Sequence, residues 1–467
     1  MADGSSGGAH TAALVEYALG MDAAALPAAV ASAGRAILLD TLGAMLGACA
    51  PSVTVTAPLL RYARAEGGLP CASVVGHDVQ LGPSLAALVN GTLAYALDIE
   101  SIHGPSITHA AAVVVPAALA VAEATGAAGA ELLAAIVVGL DAADRVSRAV
   151  APRAMYDRGF HPSSVAGTPA AALAAARLLR LDTEAAHRAL GLAATQASGL
   201  MAWEHDPTEH ARPFNCGIAA RNGVTAALLA AQGFGGPPGA FEGAEGLLMA
   251  FGDGRTDAAI LSEALGERFA ATETSIKRFA CCAFLQPGVN AVVDACLEHS
   301  IQAADVEAIE LHFPRGGAAV IDDNPVRSHS AQYVLAVALL DGDVTFGDLA
   351  VDRRDSEPAL AAISRNVRVI YSDELDPEFP DRFTSRAVIA LRDGRRVRSL
   401  VTYPTGHPRN PLSPAALRAK FDRLASPVAG QAALDEIAAL VDRIDSVTST
   451  DRLMSLLRLA VPSGGRS

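Results

Sequence analysis

Two carboxylates and two imidazoles crowd the stretch from Asp98 to His109, which contains His103 as its first histidine. A histidine can accept or donate a proton near neutral pH, and a carboxylate beside it can hold the ring in one orientation. The stretch joins two apolar segments with helical spacing, and loops between rigid helices are common positions for catalytic groups. A polar turn that caps the two helices would use the same residue types, so both interpretations stay open.

Two further segments carry residues suited to proton transfer or anion binding. His161 precedes a proline in a loop of glycine and serine that leads into a helix, and helix N-termini attract anions because their first N–H groups point outward. An ordinary capped loop is the alternative. Arg212 could hold a carboxylate through two parallel hydrogen bonds, although a surface ion pair would use the same residue.

The scarcity of lysine gives a third signal. Only Lys277 and Lys420 are lysine among 36 basic residues, which leaves 36 - 2 = 34 arginines. A lysine at 277, beside Arg278 and close to Cys282, indicates that a compact ammonium is needed there as a carboxylate binder or proton donor. Chance is the alternative explanation. Tyr333, near the start of a predicted helix, could protonate a leaving group, or it could simply pack in the core.

The sequence motifs give less support to a metal site, a serine-hydrolase site or a nucleotide-binding site. The histidines and carboxylates would suit zinc or iron, but their spacing matches no standard motif such as His-Glu-x-x-His. No Gly-x-Ser-x-Gly turn is present for a serine hydrolase. The run of glycine and proline at 233–239 lacks the Gly-Lys-Ser/Thr ending of a phosphate-binding loop. We therefore expect a protein that uses no metal and no other cofactor.

The composition excludes several broad classes of protein. The chain has 467 residues, 51% of them hydrophobic and 18% charged, with a net charge of -14. Nonspecific binding to nucleic acid or to an anionic membrane needs clustered Lys and Arg, which an acidic chain does not favour. Six cysteines in so long a chain do not make a disulfide framework. The longest apolar run, Ala110–Ala122, is shorter than the ~20 residues of a membrane helix. The first eight residues carry no signal-peptide pattern, so we expect a soluble cytoplasmic protein.

Helical periodicity dominates the first and last parts of the chain. The predicted helices include 110–124, 129–150, 168–181, 183–197 with Thr183 as its N-cap, and 222–232. In the middle of the chain, residues 304–313 alternate between apolar and polar types, which predicts a strand, and the segments 366–372, 385–391 and 396–403 are also strand-like. We therefore predict a mainly α protein, in which a helical domain (1–269 and 406–467) is interrupted by an α+β domain at 270–405.

Several motifs together resemble the MmgE/PrpD family. They are Ala96-Leu97-Asp98 through Thr108-His109, Gly159-Phe160-His161-Pro162, Ala219-Ala220-Arg221-Asn222-Gly223, Lys277-Arg278-Phe279, Gln332-Tyr333-Val334 and Asn410-Pro411-Leu412. Their order and spacing agree with the family over nearly the whole chain. The resemblance implies a large all-helical domain with an inserted, smaller α+β lid domain, and an active site between the two. It also implies a homodimer and no iron–sulfur cluster.

The resemblance also implies roles for individual residues. Positions that match family active-site residues are Asp98, His109, His161, Lys277 and Tyr333. Arg212 stands where the family's decarboxylase has a lysine, and arginine keeps the charge but cannot give up its proton. Cys282 and Gln286 stand at positions of family histidines, and Asn215 stands where many relatives have histidine.

The implied activity is that of a cofactor-independent lyase that dehydrates a small hydroxy-polycarboxylate, as 2-methylcitrate dehydratase does. Either His109 or His161 would remove the proton α to a carboxylate with Asp98 orienting it, and Tyr333 or the other histidine would protonate the departing hydroxyl. Lys277 would stabilise the charge that develops. The predicted substrate-binding residues are Arg212, His103, Arg278 and Cys282. Decarboxylation or epimerisation of a related di- or tricarboxylate is the alternative, as in cis-aconitate decarboxylase or iminodisuccinate epimerase. A non-catalytic carboxylate-binding protein is the alternative from another class.

Overall fold

Alanine-rich apolar segments form most of the regular structure, because alanine loses no side-chain entropy in a helix. The computed structural model describes residues 8–379 and 382–459. They form two compact units. The second unit contains Leu97–Ile99 and Ser275–Ser413, and the first contains the rest of the described chain. The sequence placed the α+β domain at 270–405 and did not separate Leu97–Ile99. The signal-peptide prediction rests largely on residues 1–7, which lie outside the described residues.

The first unit is helical, which agrees with the prediction of a mainly α protein. Its helices before residue 275 are α1 (Ala9–Gly20), α2 (Ala28–Gly47), α3 (Thr56–Glu66), α4 (Pro83–Tyr95), α5 (Ala111–Thr125), α6 (Gly129–Val150), α7 (Pro152–Asp157), α8 (Pro162–Leu178), α9 (Thr183–Ala194), α10 (Ala211–Ala231), α11 (Leu247–Gly252) and α12 (Ala270–Glu273). Two short antiparallel strands, β1 (Ala72–Ser73) and β2 (Gln80–Leu81), precede α4.

Glycines let the helices that carry the candidate site pack closely. Helix α10 packs against α4 and α8. A Cβ at Gly217 of α10 would lie 2.5 Å from the carbonyl oxygen of Leu88 in α4. One at Gly223 would lie 2.5 Å from the carbonyl oxygen of Thr168 in α8. Any larger residue would push the helices apart. Glycine at these two positions therefore lets the backbone of α10 contact the backbones of α4 and α8.

Helix α2 has 20 residues and is strongly apolar. Among the described residues it is the one helix long and apolar enough to cross a membrane, and 72% of its apolar window is buried inside the protein. Burial of this kind is typical of a core helix in a soluble protein. The soluble state and the cytoplasmic location both stay predictions.

The second unit combines one sheet with helices. It contains α13 (Gln286–His299), β3 (Val306–Pro314), α14 (Arg315–Ile321), α15 (Ala331–Asp341), α16 (Phe346–Ala350), α17 (Pro358–Ser364), β4 (Val367–Ser372), β5 (Ser385–Leu391) and β6 (Arg396–Val401). The strand order is β4-β3-β5-β6, with β3 and β4 parallel and the other pairs antiparallel. Helix α13 packs on β5 and β6. The four predicted strands are thus present in this unit.

The chain then returns to the first unit. The final described helices are α18 (Pro414–Ala425), α19 (Gln431–Asp442) and α20 (Asp451–Leu459). Helices α18 and α19 both pack against α2.

Three local predictions were wrong. Helix α8 begins at Pro162 rather than residue 168, and α10 begins at Ala211 rather than residue 222. Both starts carry polar residues, which periodicity assigns to a loop, although most of the residues in the first turns are buried here. The N-cap of α9 is Asp182 rather than Thr183, because the Asp182 carboxylate accepts a hydrogen bond of 2.7 Å from the N–H of Ala185.

Candidate active site

Tyr95, the last residue of α4, is buried and contacts three predicted site residues of the first unit. The ring centroid of Tyr95 lies 4.9 Å from that of His109 and 5.7 Å from that of His161. The guanidinium carbon of Arg212 lies 4.8 Å from the centre of the same ring, where the quadrupole of the ring attracts a cation. The structure therefore brings His109, His161 and Arg212 together around a tyrosine that sequence reasoning did not select.

Three long helices deliver these side chains from their N-terminal ends. His109 lies two residues before the first residue of α5, His161 is the N-cap of α8, and Arg212 is the second residue of α10. The N-terminus of an α-helix carries a partial positive charge from its aligned peptide dipoles and unpaired N–H groups. The surroundings of Tyr95 therefore combine three such ends with one permanent cation.

Glu100 orients His109. Its Oε1 lies 2.9 Å from His109 Nδ1, and the carboxylate is fully buried. A carboxylate on one ring nitrogen fixes the ring orientation and stabilises the imidazolium that forms when the other nitrogen takes up a proton. The sequence placed Glu100 in the same loop but proposed Asp98 as the orienting carboxylate. In the structure, Glu100 makes this contact with His109.

His161 is held in its neutral form. Burial, helped by the nearby His109 and Arg212 and opposed by Glu100, lowers the pKa of its imidazole to about 3. Its Nε2 lies 3.4 Å from Tyr95 Oη. Its buried Nδ1 has no hydrogen-bond partner among the residues that the structure describes. A buried polar atom without a partner is unusual and marks a position where a ligand could complete the hydrogen bonding.

His103 belongs to a separate ionic network in the first unit. Its Nδ1 lies 2.8 Å from Ser106 Oγ and 3.3 Å from a carboxylate oxygen of Asp144, and its Nε2 lies 3.2 Å from Glu273. Burial raises the pKa of Glu273, but hydrogen bonds from His103 and Arg268 outweigh it and lower that pKa to about 2. Because both ring nitrogens of His103 face protein groups, the structure favours the polar-turn interpretation over substrate binding.

Asp98 and Lys277 form a buried ion pair in the second unit. Lys277 Nζ donates to Asp98 Oδ1 at 2.7 Å and to the backbone carbonyl of Asp98 at 3.0 Å. Asp98 has a φ of 54°, a left-handed conformation that is uncommon for residues other than glycine. On the other carboxylate oxygen, His329 Nδ1 lies at 3.6 Å, and Ser328 Oγ lies 3.0 Å from that nitrogen. His329 was not among the predicted site residues, and its sequence separation from Asp98 gave no signal.

The second lysine of the chain makes a pair of the same kind. Lys420 Nζ donates to Asp40 Oδ1 at 2.5 Å, and both side chains are buried in the first unit. Each lysine of this arginine-rich chain therefore neutralises a buried aspartate. The chance explanation for the position of Lys277 is weakened by this shared environment.

Tyr333 has the hydrogen bonds of a structural tyrosine. Its Oη donates to the backbone carbonyl of Asp348 at 2.6 Å and accepts from the N–H of Arg353 at 3.3 Å. The ring lies in the core of the second unit, with the Arg354 guanidinium 5.3 Å from its centre. These contacts favour the alternative that the sequence left open, a packing tyrosine.

The remaining predicted positions of the second unit flank Lys277. The guanidinium of Arg278 lies over the Phe279 ring, 4.7 Å from its centre. Cys282 is buried and its N–H donates to the carbonyl of Ser328 at 2.8 Å. Gln286 donates through Nε2 to the carbonyl of Phe279 at 2.8 Å. Cys282 and Gln286 thus hydrogen-bond to the local backbone. Among the described residues, no cluster of three or more potential metal ligands occurs.

Several similar proteins are named cis-aconitate decarboxylase or cis-aconitate decarboxylase-like. It is 28% identical to the cis-aconitate decarboxylase-like protein oryM of Aspergillus oryzae, over 97% of this chain and 98% of that protein. It is 28% identical to the cis-aconitate decarboxylase of Aspergillus terreus, with 84% of each chain covered. The human cis-aconitate decarboxylase is 26% identical over 91% of this chain and 89% of its own.

Two family models match in sequence order. The MmgE/PrpD N-terminal domain matches residues 12–259, and the MmgE/PrpD C-terminal domain matches residues 279–446. The resemblance inferred from the motifs is thereby confirmed: the chain belongs to the MmgE/PrpD family.

Proposed function

We propose that the chain is a lyase that acts on a small polycarboxylate, and that it decarboxylates an unsaturated tricarboxylate of the cis-aconitate type. The observation that carries the proposal is the grouping of His109, His161 and Arg212 around Tyr95. The relatives named as cis-aconitate decarboxylases support decarboxylation over the dehydration that the sequence analysis put first.

The surroundings of Tyr95 suit an anion. An anion near a helix N-terminus is stabilised by about 0.3–1 kcal/mol at exposed sites and by up to ~2 kcal/mol at partly buried ones. Three such ends lie here, and Arg212 adds a full charge with donors in a planar fork that matches a carboxylate. A substrate with several carboxylates would gain from each of these, whereas a neutral substrate would gain from none.

The two histidines can hold different protonation states. His161 is neutral at pH 7 because its pKa lies near 3, so it accepts a proton or donates a neutral N–H. His109 has the Glu100 carboxylate on Nδ1, which stabilises an imidazolium. One group can therefore supply a proton while the other receives one, as general acid–base catalysis requires.

In the proposed decarboxylation, the bond between a methylene carbon and its carboxylate breaks, and CO2 leaves. The freed electron pair forms a new double bond, and the pair of the old double bond moves to the next carbon. That carbon takes a proton from the His109 imidazolium, and solvent later restores the proton. Arg212 holds the carboxylate onto which charge builds, and a fixed cation stabilises this charge more in the transition state than in the ground state.

Dehydration is the second candidate, and the observation that favours it is the buried Nδ1 of His161, which has no partner among the described residues and could contact a substrate proton. His161 would remove the proton α to a carboxylate, and the His109 imidazolium would protonate the departing hydroxyl, which leaves as water. If the abstracted proton instead returned to the opposite face, the result would be an epimer. Both reactions use the same pair of imidazoles.

We also propose that the Asp98–Lys277 pair takes part in the reaction. Its support is the burial of both charged side chains together with the left-handed backbone of Asp98, because residues in sparsely populated backbone regions cluster at functional sites. Lys277 holds both the carboxylate and the carbonyl of Asp98 and so stabilises that conformation. Tyr333 has no part in this scheme because its hydroxyl is bonded to backbone groups.

Proton NMR of the purified protein with four substrates in D2O tests the proposal. With cis-aconitate, decarboxylation gives a new pair of terminal alkene protons and one incorporated deuterium. With 2-methylcitrate or citrate, dehydration gives an alkene without loss of CO2. With iminodisuccinate, epimerisation places deuterium at the α carbon without forming an alkene. No turnover of any of the four would support the non-catalytic carboxylate-binding protein instead.

Variants separate the imidazole chemistry from general damage. His161→Gln should lower turnover by about 10²–10⁴-fold, the usual contribution of a general acid or base. His299→Gln is the matched control, because His299 is exposed at the end of α13 in the second unit. Equal turnover in both variants would remove His161 from the scheme. Sedimentation of the same preparation tests the predicted homodimer.

A further inference from the structure

Two adjacent serines connect the helix starts that carry the candidate site. Ser163 Oγ accepts a hydrogen bond of 2.9 Å from the backbone N–H of His109. Ser164 Oγ donates a hydrogen bond of 2.6 Å to the backbone carbonyl of Asn215 in the first turns of α10. Both serines lie in the first turn of α8 and are 1% exposed. Helix α8 is therefore bonded through side chains to the starts of both α5 and α10.

Each serine hydroxyl bonds to a backbone group at the start of a neighbouring helix. The first N–H groups of a helix have no partner within it, and Ser163 supplies an acceptor to the N–H just before α5. Leaving that partly buried N–H without a partner would cost part of its desolvation free energy. The Asn215 carbonyl lies three residues after Arg212, so Ser164 fixes the helical turn from which the guanidinium projects.

The backbone around His161 is fixed in the same region. The N–H of His161 donates to the carbonyl of Gly199 at 3.0 Å. Gly199 has a φ of +131°, and a Cβ there would lie 2.6 Å from Ser164 Cβ. The starts of α5, α8 and α10 are thus bonded into one rigid arrangement, with the orphaned Nδ1 of His161 beside it.

We infer that Ser163 and Ser164 are positioning residues: Ser163 sets the place of the His109 imidazole, and Ser164 sets the place of the Arg212 guanidinium. This inference deepens the proposed function and rests on it for the kinetic part of the test. The division of labour is specific. Ser163 acts on the proton-transfer group and should affect the chemical step, whereas Ser164 acts on the carboxylate-binding group and should affect substrate binding.

The kinetic test compares single hydroxyl deletions. Ser163→Ala should lower kcat by about 10- to 100-fold, the range expected for a misplacement near 1 Å, and should leave KM within about twofold. Ser164→Ala should raise KM by a larger factor than it lowers kcat. Ser163→Thr keeps the hydroxyl and should recover most of the kcat that Ser163→Ala loses.

A matched control comes from the same helix. Thr168 Oγ1 donates to the carbonyl of Ser164 at 2.9 Å, a bond internal to α8, and Thr168 is also 1% exposed. Thr168→Val removes a buried hydroxyl from α8 without touching either neighbouring helix start. It should lower thermal stability while keeping kcat and KM near those of the parent. If Ser163→Ala and Thr168→Val change kcat equally, the positioning role is refuted.

A spectroscopic readout tests the inference independently of turnover. In protein labelled with 15N-histidine, the imidazole resonances of His109 report its hydrogen bond to Glu100, and His109→Gln assigns them. Ser163→Ala should move these resonances, whereas Ser164→Ala and Thr168→Val should leave them in place. Unmoved His109 resonances in Ser163→Ala would overturn the inference even in an active enzyme. Absence of turnover in the parent would refute the proposed function, while the spectra would still decide the role of Ser163.

Discussion

Replacing Lys277 by methionine should abolish most activity, whereas the same replacement at Lys420 should leave it nearly intact. The two sites are closely matched. Lys277 is 2% exposed and bonded to Asp98 at 2.7 Å, and Lys420 is 5% exposed and bonded to Asp40 at 2.5 Å. In both variants a buried carboxylate loses its ammonium, so the structural damage is similar and only the proposed chemical role differs.

The stability cost follows from the burial of both pairs. Removing one partner of a buried ion pair typically costs 3–5 kcal/mol, because the remaining charge stays desolvated. We expect about 3 kcal/mol for Lys277→Met, at the lower end of this range, because the Asp98 carboxylate keeps a second polar neighbour, His329 Nδ1 at 3.6 Å. A folded protein usually has about 5–15 kcal/mol of stability, so both variants should stay folded at 25 °C.

The value of kcat should differ strongly between Lys277→Met and Lys420→Met. Loss of a cation that stabilises developing negative charge typically costs about 10²–10³ in kcat, so Lys277→Met should lose at least two orders of magnitude, and Lys420→Met less than about twofold. Urea unfolding followed by circular dichroism measures the stabilities, and the decarboxylation assay measures kcat. Lys277→Arg should restore stability only in part, because a planar fork does not replace a point charge.

Paired variants complete the design. Asp98→Asn combined with Lys277→Met removes both charges, and Asp40→Asn combined with Lys420→Met does the same at the control site. Neutralising both members should recover stability at each site but should recover activity at neither. Full turnover in Lys277→Met, or equal losses in Lys277→Met and Lys420→Met, would refute a chemical role for Lys277 and leave it as a structural counterion.

Three further predictions concern the histidine, a glycine and the tyrosine. His161 is neutral in the folded protein down to about pH 3 but binds a proton below pH 6.5 when unfolded, so its contribution to stability is present above pH 6.5 and is lost as the pH falls. Between pH 7.5 and 5.0 the parent should lose about 2 kcal/mol of unfolding free energy for this reason. Urea unfolding should show that His161→Gln does not have this loss. Gly406 has a φ of +99°, and a Cβ there would lie 1.8 Å from the carbonyl oxygen of Ile276, the residue before Lys277. Gly406→Ala should therefore lower the unfolding free energy by about 1–3 kcal/mol or more. An unchanged urea midpoint would contradict the close approach. Tyr333→Phe should lose about 1 kcal/mol of stability and keep kcat within about threefold, whereas a hundredfold fall in kcat at unchanged stability would restore the acid role.

Sequence reasoning succeeded where a local pattern decides the structure. The strand-like segment 385–391 predicted β5 with its observed bounds, and its apolar run from Ala387 to Leu391 is mostly buried in the unit. The apolar stripe of 129–150 likewise predicted α6 to the residue.

Pattern failed where polar residues begin a buried helix. The segments before 168 and 222 contain histidine, serine and arginine, yet they are the first turns of α8 and α10. Their polar groups are satisfied by contacts with other helices, such as the bond from Ser164 to the Asn215 carbonyl. Such contacts join residues far apart in sequence, so no local rule identifies them.

The candidate site shows the same division. His109, His161 and Arg212 were selected from their types and positions, and the structure brings them together. Tyr95, which they share, was missed because a tyrosine at a helix end is indistinguishable in sequence from a packing residue. Glu100 was in view but was passed over for Asp98, and only the three-dimensional arrangement shows which carboxylate faces the His109 ring.

The burial of both lysines gives the folded surface an unusual reactivity. Lys277 and Lys420 are the only side-chain amines in the chain, and each is enclosed with an aspartate. Acylating reagents should therefore react slowly with both lysine side chains in the native protein. They should react faster with each lysine once local unfolding exposes it to solvent. Because the lysines lie in different units, the mass of each labelled peptide would report the opening of its own unit.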